Sequence, residues 1–161
     1  MTTITEDIVT RIAECFREIE TIETAYDGPP SMPIEDANLP AAVVMVGAIR
    51  SNEPLRNGGA RVTRTFPVRV FIAAIEQGTD AGYLGDSKYG EGVPVLDHVY
   101  KYFVNHKNLS TNATPDGLAG VLKIQLSDSG ISGGEAPGGA RYWVINFALT
   151  VITVIQYCNP F

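Results

Sequence analysis

The sequence predicts an α+β domain, a mainly antiparallel sheet with two helices packed on it, in the order α-β-β-β-α-β-β. Three observations predict it. Two segments repeat apolar residues at the spacing of a helix, while others are apolar runs or alternate apolar with polar at the spacing of a strand. Clusters of Gly, Pro and Asn separate these segments, with no internal repeat or boundary. The 161 residues fit a single domain, 1–161. A chain of this length buries roughly 70% of the surface its unfolded form exposes, so its core needs neither a metal nor a disulfide.

The first helix carries Ile4, Ile8, Ile12, Cys15, Phe16 and Ile19 on one face, with Val9 beside them. Thr3, with Glu6 three residues on, predicts a capping box, and the acids Glu6 and Asp7 suit the positive end of the helix dipole. A short β-prone run, Thr21 to Tyr26, stops at Gly28-Pro29-Pro30, and residues 28–38 hold three prolines and read as an extended loop. Leu39-Pro40 opens the apolar run Ala41 to Ile49, expected to be a strand buried on both faces. Residues 51–60 read as a turn region, with Asn57-Gly58-Gly59 as its hairpin signal.

The next strand is long, Arg61 to Glu76. Val62, Phe66, Val68, Val70, Ile72 and Ala74 share one face, and Arg61, Thr63, Thr65 and Arg69 the other. Pro67 has no N–H to give a ladder, which predicts a sheet edge or a bulge there. Residues 77–92 form a glycine-rich loop with Tyr83 and Tyr89. Pro94 then opens the second helix, whose apolar face is Val95, Leu96, Val99, Tyr100 and Phe103, ending near Asn105 to Asn108. Ala119 to Leu126 alternates as a strand, and Ser127 to Gly139 reads as a mobile glycine-rich connection. A last long strand, Arg141 to Tyr157, lines one face with Trp143, Ile145, Phe147, Leu149, Val151, Ile155 and Tyr157. The two long strands are about three times the usual ~5–6 residues. Such lengths require either a bend at a bulge or ends that project and seek a partner.

Composition excludes several functions. The net charge is -6 and the twelve lysines and arginines are scattered along the chain, which argues against gripping nucleic acid. An acidic surface remains compatible with one that DNA passes without sticking. No apolar stretch reaches the ~20 residues that span a bilayer as a helix. Acidic Glu6 and Asp7 stand where a secretion signal would be basic. Of the two cysteines, Cys15 lies on the apolar helix face and reads as a buried reduced thiol, which points to a cytosolic origin; the other is Cys158.

No chemistry-bearing motif emerges. His98 and His106 lie about 12 Å apart along a helix axis, too far to share one ion, and read as surface or helix-end residues. Asp80, Asp86, Glu91, Asp128 and Glu135 fall in the glycine-rich loops but lack the pattern of a calcium loop. Gly130 to Gly139 is not followed by the Lys-Ser/Thr and helix of a phosphate loop. Gly130-Ile131-Ser132-Gly133 lacks the context of a nucleophile elbow. The expectation is a protein with no catalytic residue, no cofactor and no metal.

The layout does resemble a known family. An amphipathic opening helix leads through a proline-rich loop to Leu39-Pro40-Ala41-Ala42-Val43-Val44. The long strand Arg64-Thr65-Phe66-Pro67-Val68-Arg69-Val70-Phe71 follows, then a helix with Val95-Leu96-Asp97-His98-Val99 and Asn108-Leu109, then Tyr142-Trp143-Val144-Ile145-Asn146-Phe147. This order resembles the tail terminator (tail completion) proteins of long-tailed bacteriophages and related minor tail or neck proteins. The resemblance covers nearly the whole chain as a pattern of elements, without a signature motif. It implies a structural protein of the virion, assembled in the host cytoplasm into a hexameric ring with no cofactor. Its partners would be its own copies, the tail tube protein and the head-tail connector, with DNA passing through the lumen and no membrane involved. Expected interface residues are Arg61, Arg64, Arg69, Tyr83, Tyr89, Arg141, Tyr142 and Trp143. Other readings are a neck adaptor, a small-ligand-binding module with Trp143 and the tyrosines around a pocket, and a small enzyme with its site in the glycine-rich loops.

Overall fold

The computed structural model describes residues 3–32, 34–75, 92–135 and 141–156. Helix α1 (Ile4–Arg17) opens with the capping box: the Glu6 amide donates to Thr3 Oγ1 at 3.2 Å, and the Thr3 amide donates to Glu6 Oε2 at 2.6 Å. These bonds satisfy two of the donors that a helix start leaves open. Its apolar stripe, Ile8, Val9, Ile12, Ala13, Cys15 and Phe16, is buried. Short strands β1 (Thr24–Tyr26) and β2 (Ala41–Val44) follow, then β3 (Ile49–Pro54) and β4 (Gly59–Ala74). Helix α2 (Gly92–Asn105) precedes β5 (Val121–Glu135) and β6 (Arg141–Gln156).

The strands form one sheet in the order β1-β2-β4-β6-β5, with β3 pairing β4 beyond the end of β2. All pairs are antiparallel except β1 with β2. The core lies between the helices and one face of the sheet, where Phe16 packs its ring against Phe103 and Phe147 at 5.5 and 6.2 Å between centroids. A second, smaller cluster lies on the opposite face, where Ile34 and Leu39 of the proline-rich segment cover Val43, Phe71, Tyr142 and Val144. The α+β class, the two helices and the mainly antiparallel sheet are as the sequence predicts.

The expected order needs one more strand: the observed order is α-β-β-β-β-α-β-β. The run Ala41 to Ile49 is not one strand. It is fully buried only as far as Val44, and Val46 and Ile49 are exposed. Residues expected to be turn, up to Pro54, pair with β4 as β3, and only the Asn57-Gly58 region turns the chain. Gly58 has φ +86°, a left-handed conformation that favours glycine. The glycine-rich residues 127–135 are likewise strand rather than a mobile connection, held by the ladder to β6 from Ser127↔Ala148 to Glu135↔Arg141. The loop expected at 77–92 lies outside the described residues, except that Gly92 begins α2.

Pro67 sits in a central strand, yet its neighbour breaks beside it. The Pro67 carbonyl accepts from the Met45 amide at 2.8 Å, where β2 has ended and β3 has not begun. Between the pairs Val44↔Val68 and Ile49↔Arg64 the first strand advances five residues while β4 retreats four, so one extra residue bulges out. The long strands also bend, with register shifts at Phe71/Ala73 and at Asp128/Ile131.

Candidate interaction surface

The sheet is exposed along strand β3 and along the edge formed by β5. β4 and β6 have 16 residues each, about 50 Å of extended chain. Each helix has 14 residues, about 21 Å of axis. Helix α1 begins near the hairpin end of the sheet, where Ile4 lines a cleft with Asn52 and Ile155. The most exposed strand is β3 of the β3–β4 hairpin, while Ala60, Val62 and Thr153 beside it are buried. All six residues of β3 are exposed. Strand β5 forms the far edge of the sheet, with Leu122 48% exposed.

The alternation of β4 sends Arg61, Thr63, Thr65, Pro67 and Arg69 to the face away from the helices. Arg64 falls on the helix face with Val62 and Phe66. It lines a cleft of about 230 Å³ with Ile4, Ile8, Ile49 and Ile155. Its Nη1 donates to the Gly47 carbonyl at 2.9 Å, and no carboxylate pairs with it among the described residues. Arg61 meets Glu53 at 3.8 Å, with both side chains about half exposed or more, a geometry worth little in water. Arg50 donates from Nε to Thr65 Oγ1 at 2.7 Å. The Arg69 guanidinium lies 5.1 Å from the centroid of the Phe71 ring, a cation–π contact.

The other expected interface residues separate. Arg141 is exposed at the start of β6. Tyr142 is 4% exposed, packs edge-on to Phe71 at 5.7 Å and donates its hydroxyl to the Ile34 carbonyl at 3.1 Å. It is a core residue, because the proline-rich segment folds over that end of β6. Trp143 is half-buried against the main core. Tyr83 and Tyr89 lie outside the described residues. Tyr142 and Trp143 therefore do not project with Arg61.

A polar network ties the helix ends together. Both Glu18 carboxylate oxygens accept from the Asn112 amide, at 2.6 and 2.8 Å, and Oε2 accepts from the Tyr102 hydroxyl at 3.4 Å. The His106 ring stacks on Tyr102 at 3.8 Å, donates from Nδ1 to the Tyr102 carbonyl at 2.9 Å, and turns Nε2 to Asn112 Oδ1 at 3.0 Å. His98 contacts Thr21 Oγ1 at 3.2 Å. Cys15 is fully buried, its thiol directed at the Ser110 carbonyl, and burial pushes its pKa up to about 12. Burial, then the hydrogen bond to Asp128, pushes Tyr100 up to about 12, and burial followed by the charges of Cys15 and Glu18 raises Tyr102 as well. These groups hold their protons at neutral pH. Among the described residues no three His, Cys, Asp or Glu side chains cluster as metal ligands, and no helix is long and apolar enough to cross a membrane.

The charges are not scattered once they are placed on the fold. Residues 3–36 carry nine acids and two arginines, whereas residues 37–75 carry five arginines and one acid, Glu53. The first stretch is α1 and the segment behind it; the second is β2, β3 and β4. The whole-chain charge of -6 conceals this separation, which segment-wise counting finds in the sequence. Compared with models of known families and with curated proteins, the chain matches none.

Proposed function

We propose that this protein is a structural subunit of a virion, a non-catalytic tail terminator that forms a ring, caps the tail tube and joins it to the head connector. One observation carries the reading. Strand β3 is exposed along its whole length and β5 leaves an open edge, where neighbouring subunits can pack. Exposed strand edges are a liability for a lone domain and a resource for an assembly. The order of elements, which resembles that of tail terminators, supports reading that assembly as a tail ring. In this reading DNA passes through the lumen without specific binding.

Native mass spectrometry of the free protein, followed by electron microscopy with purified tail tubes, tests the proposal. A hexamer that sits on one end of the tube and stops its growth supports it. A twelve-fold ring points instead to a neck adaptor. A strict monomer that ignores tubes refutes both. One feature favours a small-ligand module, namely the cleft of mixed polar and apolar lining with Arg64 at its rim. At about 230 Å³ it is smaller than the ~300–1,000 Å³ typical of ligand pockets, so this is the weaker reading.

A further inference from the structure

We infer that copies of this chain dock head to tail, the arginine-bearing β3–β4 hairpin of one copy seating against the acidic end of the next. This rests on the ring reading and names its two contact surfaces. The basic surface is Arg50, Arg56 and Arg61, all exposed, with Arg64 behind them. The acidic surface is Glu20, Glu23 and Glu35, all exposed.

The sheet register holds these surfaces at opposite ends of the molecule. The Glu23 amide donates to the Pro40 carbonyl at 2.8 Å, next to Ala41, which pairs with Phe71. Glu23 thus lies level with Phe71, and Arg61 lies ten residues further along β4, roughly 33 Å of extended strand. Close ion pairs do little to neutralise either surface within its own copy. Arg50 and Arg64 spend their hydrogen bonds on the uncharged oxygens of Thr65 and Gly47, and Arg61 has only the loose pair to Glu53. Among the described residues no cation pairs with Glu20, Glu23 or Glu35.

A second copy answers both surpluses at once. Nucleic acid would answer only the arginines, and the nine acids of residues 3–36 would repel it. Screening over ~8 Å at physiological salt means the surfaces must touch to attract. The exposed hairpin supplies that reach. Because the two patches differ, the contact is heterologous, the kind that closes rings or extends filaments.

Sedimentation velocity tests the inference on three full-length proteins: wild type, the hairpin variant R50E/R56E/R61E and the end variant E20K/E23K/E35K. The expected result is that wild type self-associates in low salt and dissociates in 1 M salt, with each variant weakened at least tenfold. An equimolar mixture of the two variants reassembles, because each then offers a patch complementary to the other. Reassembly also shows that both variants are folded. A hairpin variant that associates and caps tubes as wild type does overturns this interface and leaves the ring reading standing. Failure of wild type to associate in solution or on tubes overturns both. If wild type remains monomeric and binds a short DNA duplex through the hairpin, the arginines belong to nucleic acid and the inference falls.

Discussion

The Tyr142 hydroxyl donates to the Ile34 carbonyl at 3.1 Å, joining the start of the last strand to the proline-rich segment 108 residues earlier. Both residues are buried, so losing the bond leaves a carbonyl without water or partner. Tyr142→Phe keeps the ring against Phe71 and is expected to cost about 1–3 kcal/mol. The check is urea denaturation, in which the midpoint falls at unchanged slope. An unchanged midpoint would remove this bond from the account of how the segment is held.

Glu18 is the hub of the network that secures residues 110–114. Its two oxygens take one amide, that of Asn112, at 2.6 and 2.8 Å. Glu18→Ala removes a charge-assisted bond and is expected to cost about 1.5–3 kcal/mol. Amide hydrogen exchange should accelerate at Asn112 and its neighbours before the core strands respond. Uniform acceleration across the sheet would contradict a local role.

Gly47 occupies the bulge beside Pro67. A Cβ built there would stand 2.4 Å from the Thr65 carbonyl oxygen and 3.0 Å from Pro67 Cδ. Backbone cannot yield as a side-chain tip does, so Gly47→Ala is expected to destabilise by about 1–3 kcal/mol. Thermal unfolding compared with Gly28→Ala, where the added carbon meets nothing within 4 Å, isolates the steric cause.

Stability should fall in alkali. Burial raises the Cys15 thiol from 9.0 to about 12 in the folded chain. The unfolded thiol loses its proton first, so ionisation favours the unfolded state. The contribution is fully present below about pH 9 and is lost as pH rises towards 12. Denaturation midpoints measured across that window should decline less steeply in Cys15→Ala than in wild type. Equal slopes would show that the thiol is not the group responsible.

Much of this fold was legible because its signals are local. The capping box of Thr3 and Glu6, the apolar stripe of α1, the alternation of β4 and the turn at Gly58 each follow from neighbouring residues. Elements that depend on a distant strand were not legible. β3 has no burial pattern, because all six residues are exposed, and it exists only through its ladder to β4. Residues 127–135 have a loop's composition and become strand because β6 pairs with them.

The candidate surface divides in the same way. Sequence alone determined that Arg61 and Arg69 leave the core face of a long strand and that Cys15 enters the core, since side-chain direction follows from strand and helix period. Its charges were also present, although a whole-chain sum hid their segregation. Only the tertiary structure decided that Tyr142 is covered, that Arg64 rims a cleft, and that Glu23 stands at the opposite end of β4 from Arg61. Those outcomes depend on where Ile34 folds back and on which strands pair with β4. Both are set by contacts between residues far apart in the chain, which no local pattern encodes.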